Sequence, residues 1–544
     1  MTLEQAFALH QQGRTGEAEL AYLELLRRNP RDGRVLHLLG LLTAQAGQPA
    51  RGMDLIRRAL DIDPRRFLAH RDLGNLLLQC GHFAEALERL DHALALKPGQ
   101  AEILDNRGTA LRMLGRLAEA LESHDRALAL TPGSVLAHVN RGSALAGLTR
   151  FSEALESFDR AIALNGASAL AHSNRGSALH RLERFAEALA SHDRAVKLAP
   201  EIAHIHVGRG QTLAELGRYD QALESFNQAL HLDPQSAEAQ FGRATTLLVT
   251  GRFQEGWQAY EGRRRRVSAD AFHPQGQPQW SGREDIAGKT LFVEGEQGLG
   301  DMIQFCRYAR LCADKGAQVI LTARESQVWL LESLDPRIEV RPQGAWPTAF
   351  DYHIPLMSLP LAFNVPEGGF AAATPYLRVE PDRVERWRRQ AGSGGLRIGI
   401  CWQGGPANPA RSFSLAALAE IARRPGVRLI SLQKGAGCEQ LDAGSIPVET
   451  LGSDYDAGPD AFLDAAAIMQ SLDLIITCDT AIAHLAGALA RPVWVALKFA
   501  ADWRYLLSRD DCVWYPTMRL FRQDRPGDWQ GVFAKMAAAL DHAP

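Results

Sequence analysis

Residues 477 to 497 read TCDTAIAHLAGALARPVWVAL. An apolar run, Leu474 to Ile476, stops at Asp479–Thr480, a small-residue segment carrying His484 follows, and a second apolar run opens after Pro492. A strand that ends in polar residues and opens a helix presents unpaired first-turn N–H groups and the positive end of the helix dipole, a seat for phosphate. Thr480 can add its hydroxyl, and His484 falls one turn on, on the same side. Asp479 would repel a phosphate directly, so it reads as holding the turn or capping the helix. The alternative is an N-capped helix with a packed histidine and no ligand. Far upstream lies EGEQGLGDMIQF, residues 294–305. Gly298 and Gly300 permit a tight turn from strand into helix and close approach by a substrate. Asp301 carries a carboxylate suited to proton abstraction or to capping that helix.

These residues need elements to hold them. From Lys289 onward short apolar runs alternate with helical text. TLFVEG, AQVILTA, RIEVRP and DYHIPL read as strands before a polar break at 391–395, and RIGICWQG, VRLISLQKG, DLIITCDT and PVWVALK read as strands after it. Such alternation predicts parallel, doubly wound sheets. We therefore expect two Rossmann-type halves, 289–390 and 396–544, facing a cleft, with ligands beyond the carboxyl ends of the strands.

The first half keeps a different beat. Pro30, Pro64, Pro98 and Pro132 are evenly spaced, Pro200 and Pro234 continue the series, and Gly166 fills the missing slot. Gly40, Gly74, Gly108, Gly142, Gly176 and Gly210 keep the same interval, as do Ala86, Ala120, Ala154, Ala188 and Ala222. Small residues where helices cross let backbones approach, and the proline ends the second helix of each unit because it lacks the next ladder N–H. This period resembles the tetratricopeptide repeat, which implies a solenoid of about eight helix pairs over residues 1–265 with a concave groove. Asn106, Asn140 and Asn174, with Asp72 one repeat earlier, follow the repeat. The resemblance implies that their helix faces the groove, so they are expected to grip peptide backbone through an amide that both donates and accepts. Bracing of neighbouring helices is the alternative. His124 and His192 occupy the register of Phe158 and Phe226 and read as packed. Residues 266–288 form a Pro- and Gly-rich linker, and the run Arg263–Arg266 before it reads as a solvated helix end.

The 544-residue chain is too long for one core. A net charge of −3 supplies no global basic field, which argues against nucleic acid as the main partner. Seven dispersed cysteines without a C-x-x-C pair read as reduced thiols. No apolar run approaches a membrane span and no signal peptide is visible, so a cytoplasmic protein is expected.

DTAIAHLAGALARPVWVAL resembles the D-T-x-x-x-H-L-A-x-A-L-x-x-P signature of the heptosyltransferase-type glycosyltransferases, and EGEQGLGD resembles that family's glycine-rich loop. The resemblance implies a GT-B fold. It further implies that Asp479, Thr480, Ala481 and His484, with Gly298 and Gly300, hold the diphosphate of a nucleotide sugar, and that Asp301 is the general base. FQEGWQAYEGR, QPQWSG, SLQKG, DWRYLL and WYPTMRLFRQ are similar to phrases of bacterial proteins that join tetratricopeptide repeats to such a domain. In the loop CWQGGPANPARSFSL no phosphate-binding lysine of the family aligns. Arg411 or Lys434 is left to supply the positive charge, and Gln433 and Lys434 are expected to contact sugar, ribose or phosphate. The implied activity is inverting, metal-independent glycosyl transfer, with the nucleotide-diphosphate sugar as co-substrate, no other cofactor, and a protein or peptide acceptor held by the repeats. The competing reading is a tetratricopeptide scaffold whose second half has lost activity. Asp454-Tyr455-Asp456 spells a metal motif of another transferase class, but its place before a helix reads as a cap. Trp402, Trp494, Trp503 and Trp514 read equally as core or as stacking surfaces.

Overall fold

The computed structural model describes residues 1–541 apart from 267–275, 297, 366–373, 406–407, 445, 459 and 461. Most of the linker, and Gln297 within the glycine-rich loop, thus lie outside the described residues. Packing divides the chain into two compact units, Met1–Thr212 and Leu213–Pro544. No helix among the described residues is long and apolar enough to cross a membrane.

Among the described residues, sixteen antiparallel helices, α1 (Leu3–Gln11) to α16 (Phe253–Tyr260), make up the repeat region. Each unit closes around a small residue facing a large one. A Cβ on Gly142 would come within 2.5 Å of the Phe158 ring, so glycine there is what lets α9 (Val135–Gly147) meet α10 (Phe151–Leu164). Beside each such glycine an arginine ties one unit to the second helix of the unit before. Arg107, Arg141, Arg175 and Arg209 each donate through Nε to Asp91, Asp125, Asp159 and Asp193 at 2.6 Å. These pairs are partly exposed, so each contributes well under about 1 kcal/mol. Their regular recurrence fixes the stacking register.

The boundary between the two packing units falls within α13 (Ala203–Glu215), inside the repeat region. Helices α14 (Tyr219–Leu232), α15 (Ala237–Val249) and α16 pack with the α/β region that follows. Trp257 meets Phe305 and Trp503 edge-on at 6.1 and 5.2 Å. Arg263 corrects the solvated reading of its run. It is 7% exposed, pairs with Glu296 at 2.7 Å and Glu261 at 2.9 Å, and donates to Ser358.

The first sheet contains β1 (Thr290–Glu294), β2 (Gln318–Ala323), β3 (Ile338–Pro342) and β4 (Tyr352–Pro355), parallel, in the order β3-β2-β1-β4. The second contains β5 (Leu396–Cys401), β6 (Val427–Ser431), β7 (Leu474–Cys478), β8 (Val493–Leu497), β9 (Asp511–Cys512) and β10 (Tyr515–Arg522), in the order β6-β5-β7-β8-β10-β9. All pairs in it are parallel except β9 with β10. The eight expected strands are present; β9 and β10 are additions. The connecting helices are α17 (Leu299–Asp314), α18 (Glu325–Glu332), α19 (Leu359–Ala362), α20 (Pro381–Ala391), α21 (Ala419–Ala422), α22 (Glu439–Asp442), α23 (Leu463–Met469), α24 (Ala481–Ala488) and α25 (Trp529–Leu540).

Helix α24 is buried along almost its whole length and rests on Tyr515 of β10. A Cβ on Gly487 would fall 2.4–2.8 Å from three atoms of the Tyr515 ring. Gly487→Ala is therefore expected to destabilise this region by about 1–3 kcal/mol through overpacking. Differential scanning calorimetry checks this, and an unchanged transition would refute the packing argument.

Candidate functional site

Two helices start at the carboxyl ends of central strands, one in each sheet. Helix α17 follows β1 after the glycine-rich loop, and α24 follows β7 after Asp479–Thr480. Neither start carries a side-chain cap: Gly298 has no side chain to offer, and Thr480 makes no capping bond. The Thr480 hydroxyl instead meets that of Thr477 at 3.1 Å. Among the described residues, the N-cap side chains thus leave the first-turn N–H groups of both helices uncapped. The two helices pass closely. A Cβ on Gly300 would lie 2.8 Å from the His484 ring and 3.6 Å from Cα of Ala481. Gly298 is equally constrained, since a Cβ there would meet the Asp301 carboxylate at 2.0 Å.

Between them lies a cavity of about 720 Å³. Asp301, Gly298, Gly300, Arg411, Gln433, Lys434, Asp479, Thr480, Ala481 and His484 all line it. Every candidate from the α/β half thus faces one space.

Their partners distinguish them. Asp301 sits in the first turn of α17 and pairs with Arg504. Burial holds the Asp301 carboxyl above the usual carboxylate range, with the Arg504 guanidinium opposing that rise. Arg504 is 8% exposed, donates through Nη1 to Asp502 at 2.8 Å and through Nε to Gln304 at 2.7 Å, and stacks on Trp503 with its guanidinium 4.2 Å from the ring centroid. His484 Nδ1 lies 3.2 Å from the Tyr515 hydroxyl, and burial, with Arg504 next in effect, depresses its pKa well below the ordinary histidine value. It enters the cavity as a neutral imidazole. Asp479 does not cap α24. Its carboxylate accepts from the Tyr505 hydroxyl at 2.9 Å, and burial, then the nearby Asp502 carboxylate, raise its pKa to about 6.

Lys434 and Arg411 differ in their neighbours. Lys434 Nζ donates to the Tyr455 carbonyl at 2.7 Å, so this ammonium is engaged internally. Arg411 Nε is buried with no hydrogen-bond partner among the described residues, pressed against Gly404, whose Cβ would meet it at 2.6 Å. Gln433 lines the cavity while its polar atoms bond within the fold. Its Oε1 accepts from the N–H groups of Trp402 and Gln403, both at 3.0 Å. Its Nε2 donates to the Gln403 and Ala436 carbonyls at 2.9 and 2.8 Å. It ties the end of β5 to the loop after β6.

Asp456 accepts from the Ala465 N–H at 3.2 Å and thus supports the start of α23, as expected of a cap. No group of three or more His, Cys, Asp or Glu side chains that could hold a metal occurs among the described residues. Trp402 and Trp514 are buried in the core, and Trp494 packs on Phe521 at 5.0 Å. Arg504, Asp502 and Tyr505 were missed as site residues. The available signal was the phrase DWRYLL, where two charges flank a tryptophan.

A second cavity, of about 450 Å³, shares Asp301, Arg411, Asp502 and Arg504 with the first. Its other wall is built from the last repeats, through Tyr219, Phe241 and Thr245. Lys498 bridges across to Glu215 at 2.8 Å.

In the repeat array the candidate ladder uses its donors internally. Asn106 donates to Asn75 at 2.8 Å, Asn140 to Asp105 at 2.9 Å and Asn174 to Ser143 at 3.3 Å, each on the preceding repeat. Asp72 pairs with His37 and Arg71 at 2.9 and 2.7 Å. These are bracing bonds, each using one of the amide's two N–H donors. His124 is packed against Asp105, its Nδ1 2.6 Å from the carboxylate.

Comparison with known proteins agrees with the repeat architecture. Two tetratricopeptide-repeat family profiles match, one at residues 3–66, 71–135 and 207–269 and the other at 167–235. The chain is similar to protein FlbA of Caulobacter vibrioides, with 30% identity over 316 residues, and spans about half of that relative, the match taking in 52% of each chain. A tetratricopeptide repeat protein from Parabacteroides merdae shares 18% identity over 45% of this chain and 97% of its own, with a TM-score of 0.39. A thermophilic TPR protein of Thermus thermophilus shares 25% over 34% of this chain and 99% of its own, with a TM-score of 0.31. The N-terminal part of the chain consists of tetratricopeptide repeats, and they are followed by a mixed α/β region.

Proposed function

We propose that the chain is an inverting, metal-independent glycosyltransferase. It moves a sugar from a nucleotide-diphosphate donor to an acceptor, a protein or peptide, recruited by the repeats. The observation that carries this reading is the convergence of residues far apart in the sequence, Asp301 and Thr480–His484, on one cavity with two uncapped helix starts. In this reading the diphosphate lies against the first turn of α24. The unpartnered Nε of Arg411 meets the charge that develops on the departing diphosphate, which is the main electrostatic task of the site. The acceptor hydroxyl approaches Asp301 through the second cavity, past the last repeats. Asp301 takes its proton as the oxygen attacks the anomeric carbon and the bond to the diphosphate breaks.

The adaptor reading draws on a specific observation too. Asp301 is already paired, and Gln433 and Lys434 serve the fold. Ligand-induced stabilisation separates the two readings. A donor at about a hundredfold over its Kd adds roughly 2.7 kcal/mol, read as a raised melting transition with ADP-, UDP- or GDP-sugars. Arg411→Ala should weaken the responding donor by about 10- to 100-fold, the worth of a hydrogen bond to a charged group, while Lys434→Ala changes affinity little. No shift with any donor would leave the adaptor reading in front.

A further inference from the structure

What His484 can offer a ligand depends on which of its ring nitrogens carries the proton, and that is set by the bond the other one makes. Its Nδ1 lies 3.2 Å from the Tyr515 hydroxyl of β10, while Nε2 bonds none of the described residues. A Cβ on Gly300 would fall 2.8 Å from Cδ2 and 3.5 Å from Nε2, so the glycine leaves that edge of the ring open to the cavity. Behind the histidine runs a chain of buried hydroxyls. The Tyr376 hydroxyl accepts from Arg307 Nη2 and donates to the Ile303 carbonyl, both at 2.9 Å, so its proton is already placed. Tyr515 stands next in line. Burial pushes its pKa up to about 12, so the phenol keeps its proton, and that proton needs an acceptor.

Two atoms compete for it. The Tyr376 oxygen is 3.4 Å away, beyond the usual span of about 2.5–3.0 Å for O–H···O. His484 Nδ1 is nearer, and it can accept only if it carries no proton of its own. With a proton on Nδ1, the Tyr515 hydrogen would have no acceptor in range, and a buried donor left unmet is costly. Arg307 acts in the same sense. Its guanidinium lies 4.4 and 4.7 Å from the Tyr376 and Tyr515 ring centroids, and a buried cation favours phenol hydrogens turned away from it. We propose that Tyr515 is a positioning residue: it locks His484 in the Nε2–H tautomer and makes that imidazole a neutral hydrogen-bond donor to a diphosphate in the cavity. The inference rests on the transferase reading for its ligand, though not for its tautomer. An ionised phosphate oxygen only accepts, so the opposite tautomer would set a lone pair against it. Because burial keeps the ring neutral, His484 holds the departing diphosphate by donation and does not protonate it.

The full chain, labelled with ¹⁵N in its histidine rings, tests this, the His484 signals being assigned by their loss in His484→Gln. In the free chain Nδ1 should resonate as the bare nitrogen and Nε2 as the N–H. Inorganic pyrophosphate, the minimal diphosphate probe, should shift the Nε2–H signal saturably. Tyr515→Phe keeps the ring that Gly487 packs against and removes only the hydroxyl. Its two nitrogen signals should draw together as the tautomers exchange, and pyrophosphate should bind about 2- to 10-fold more weakly. Tyr376→Phe should leave the tautomer as it is, since Tyr515 does not rely on Tyr376 for an acceptor. A proton on Nδ1 in the free chain, or an Nε2–H signal that pyrophosphate leaves unmoved, would overturn the proposal, as would a Tyr515→Phe spectrum matching the wild type. The wild-type spectra alone decide should either variant fail to fold. A melting transition raised by a nucleotide sugar, with Nε2 unmoved by that sugar or by pyrophosphate, would sink this role and leave the transferase reading standing. The expected pyrophosphate response without any sugar response would do the reverse.

Discussion

Asp301→Asn is expected to lower sugar transfer by about 10²- to 10⁴-fold, the usual contribution of a positioned base, with donor affinity unchanged. Asparagine keeps the shape of the side chain and can still accept from Arg504, so the cavity and the first turn of α17 survive. What it cannot do is take a proton. The base works only when ionised, so the rate falls on the acid side as pH drops through its pKa. Burial raises that pKa above the usual carboxylate range, with Arg504 opposing. The acid limb therefore lies at higher pH than for an exposed aspartate and should vanish in the variant. Initial rates across pH with a labelled donor check both points, and undiminished turnover would remove Asp301 from the reaction.

Arg504→Met is expected to produce the largest loss of stability. This guanidinium pairs with Asp301 and Asp502, bonds Gln304 and stacks on Trp503. Removing one partner of a buried ion pair costs about 3–5 kcal/mol, because the remaining charges are left uncompensated. The two carboxylates are 30% and 32% exposed and retain some water, which places the loss near the lower end. The transition of the α/β region should fall measurably in calorimetry. The same change removes the cation that opposes burial at Asp301, so any residual activity should show its acid limb displaced to still higher pH. A stable variant with an unmoved limb would mean that Arg504 is solvated in solution.

The repeat period was legible because its spacing is enforced by contacts that recur: a larger residue at Gly142 would strike Phe158. Strands β1 to β8 were legible as apolar runs bounded by polar turns. Strand β10 was not, since YPTMRLFR mixes a proline and two arginines into a strand that pairs with β8 on one side and with the short β9 on the other. The cavity's glycines, Asp301 and Thr480–His484 could be named from their motifs. Which of them are free to meet a ligand could not, because that depends on partners distant in sequence. Gln433 is consumed by Gln403 and Ala436, Lys434 by Tyr455, and Asp479 by Tyr505. Buried cations were the least visible of all. Arg263, Arg307 and Arg504 carry the side chain most associated with surfaces, yet each is buried. Only the folded chain reveals that they lie among carboxylates, carbonyls and aromatic rings.

The near-touch of α17 and α24 at Gly300 sets the spacing of the two sheets. No side chain separates the helices there, so any residue larger than glycine would wedge them apart at the floor of the cavity, where Ala481 and His484 lie.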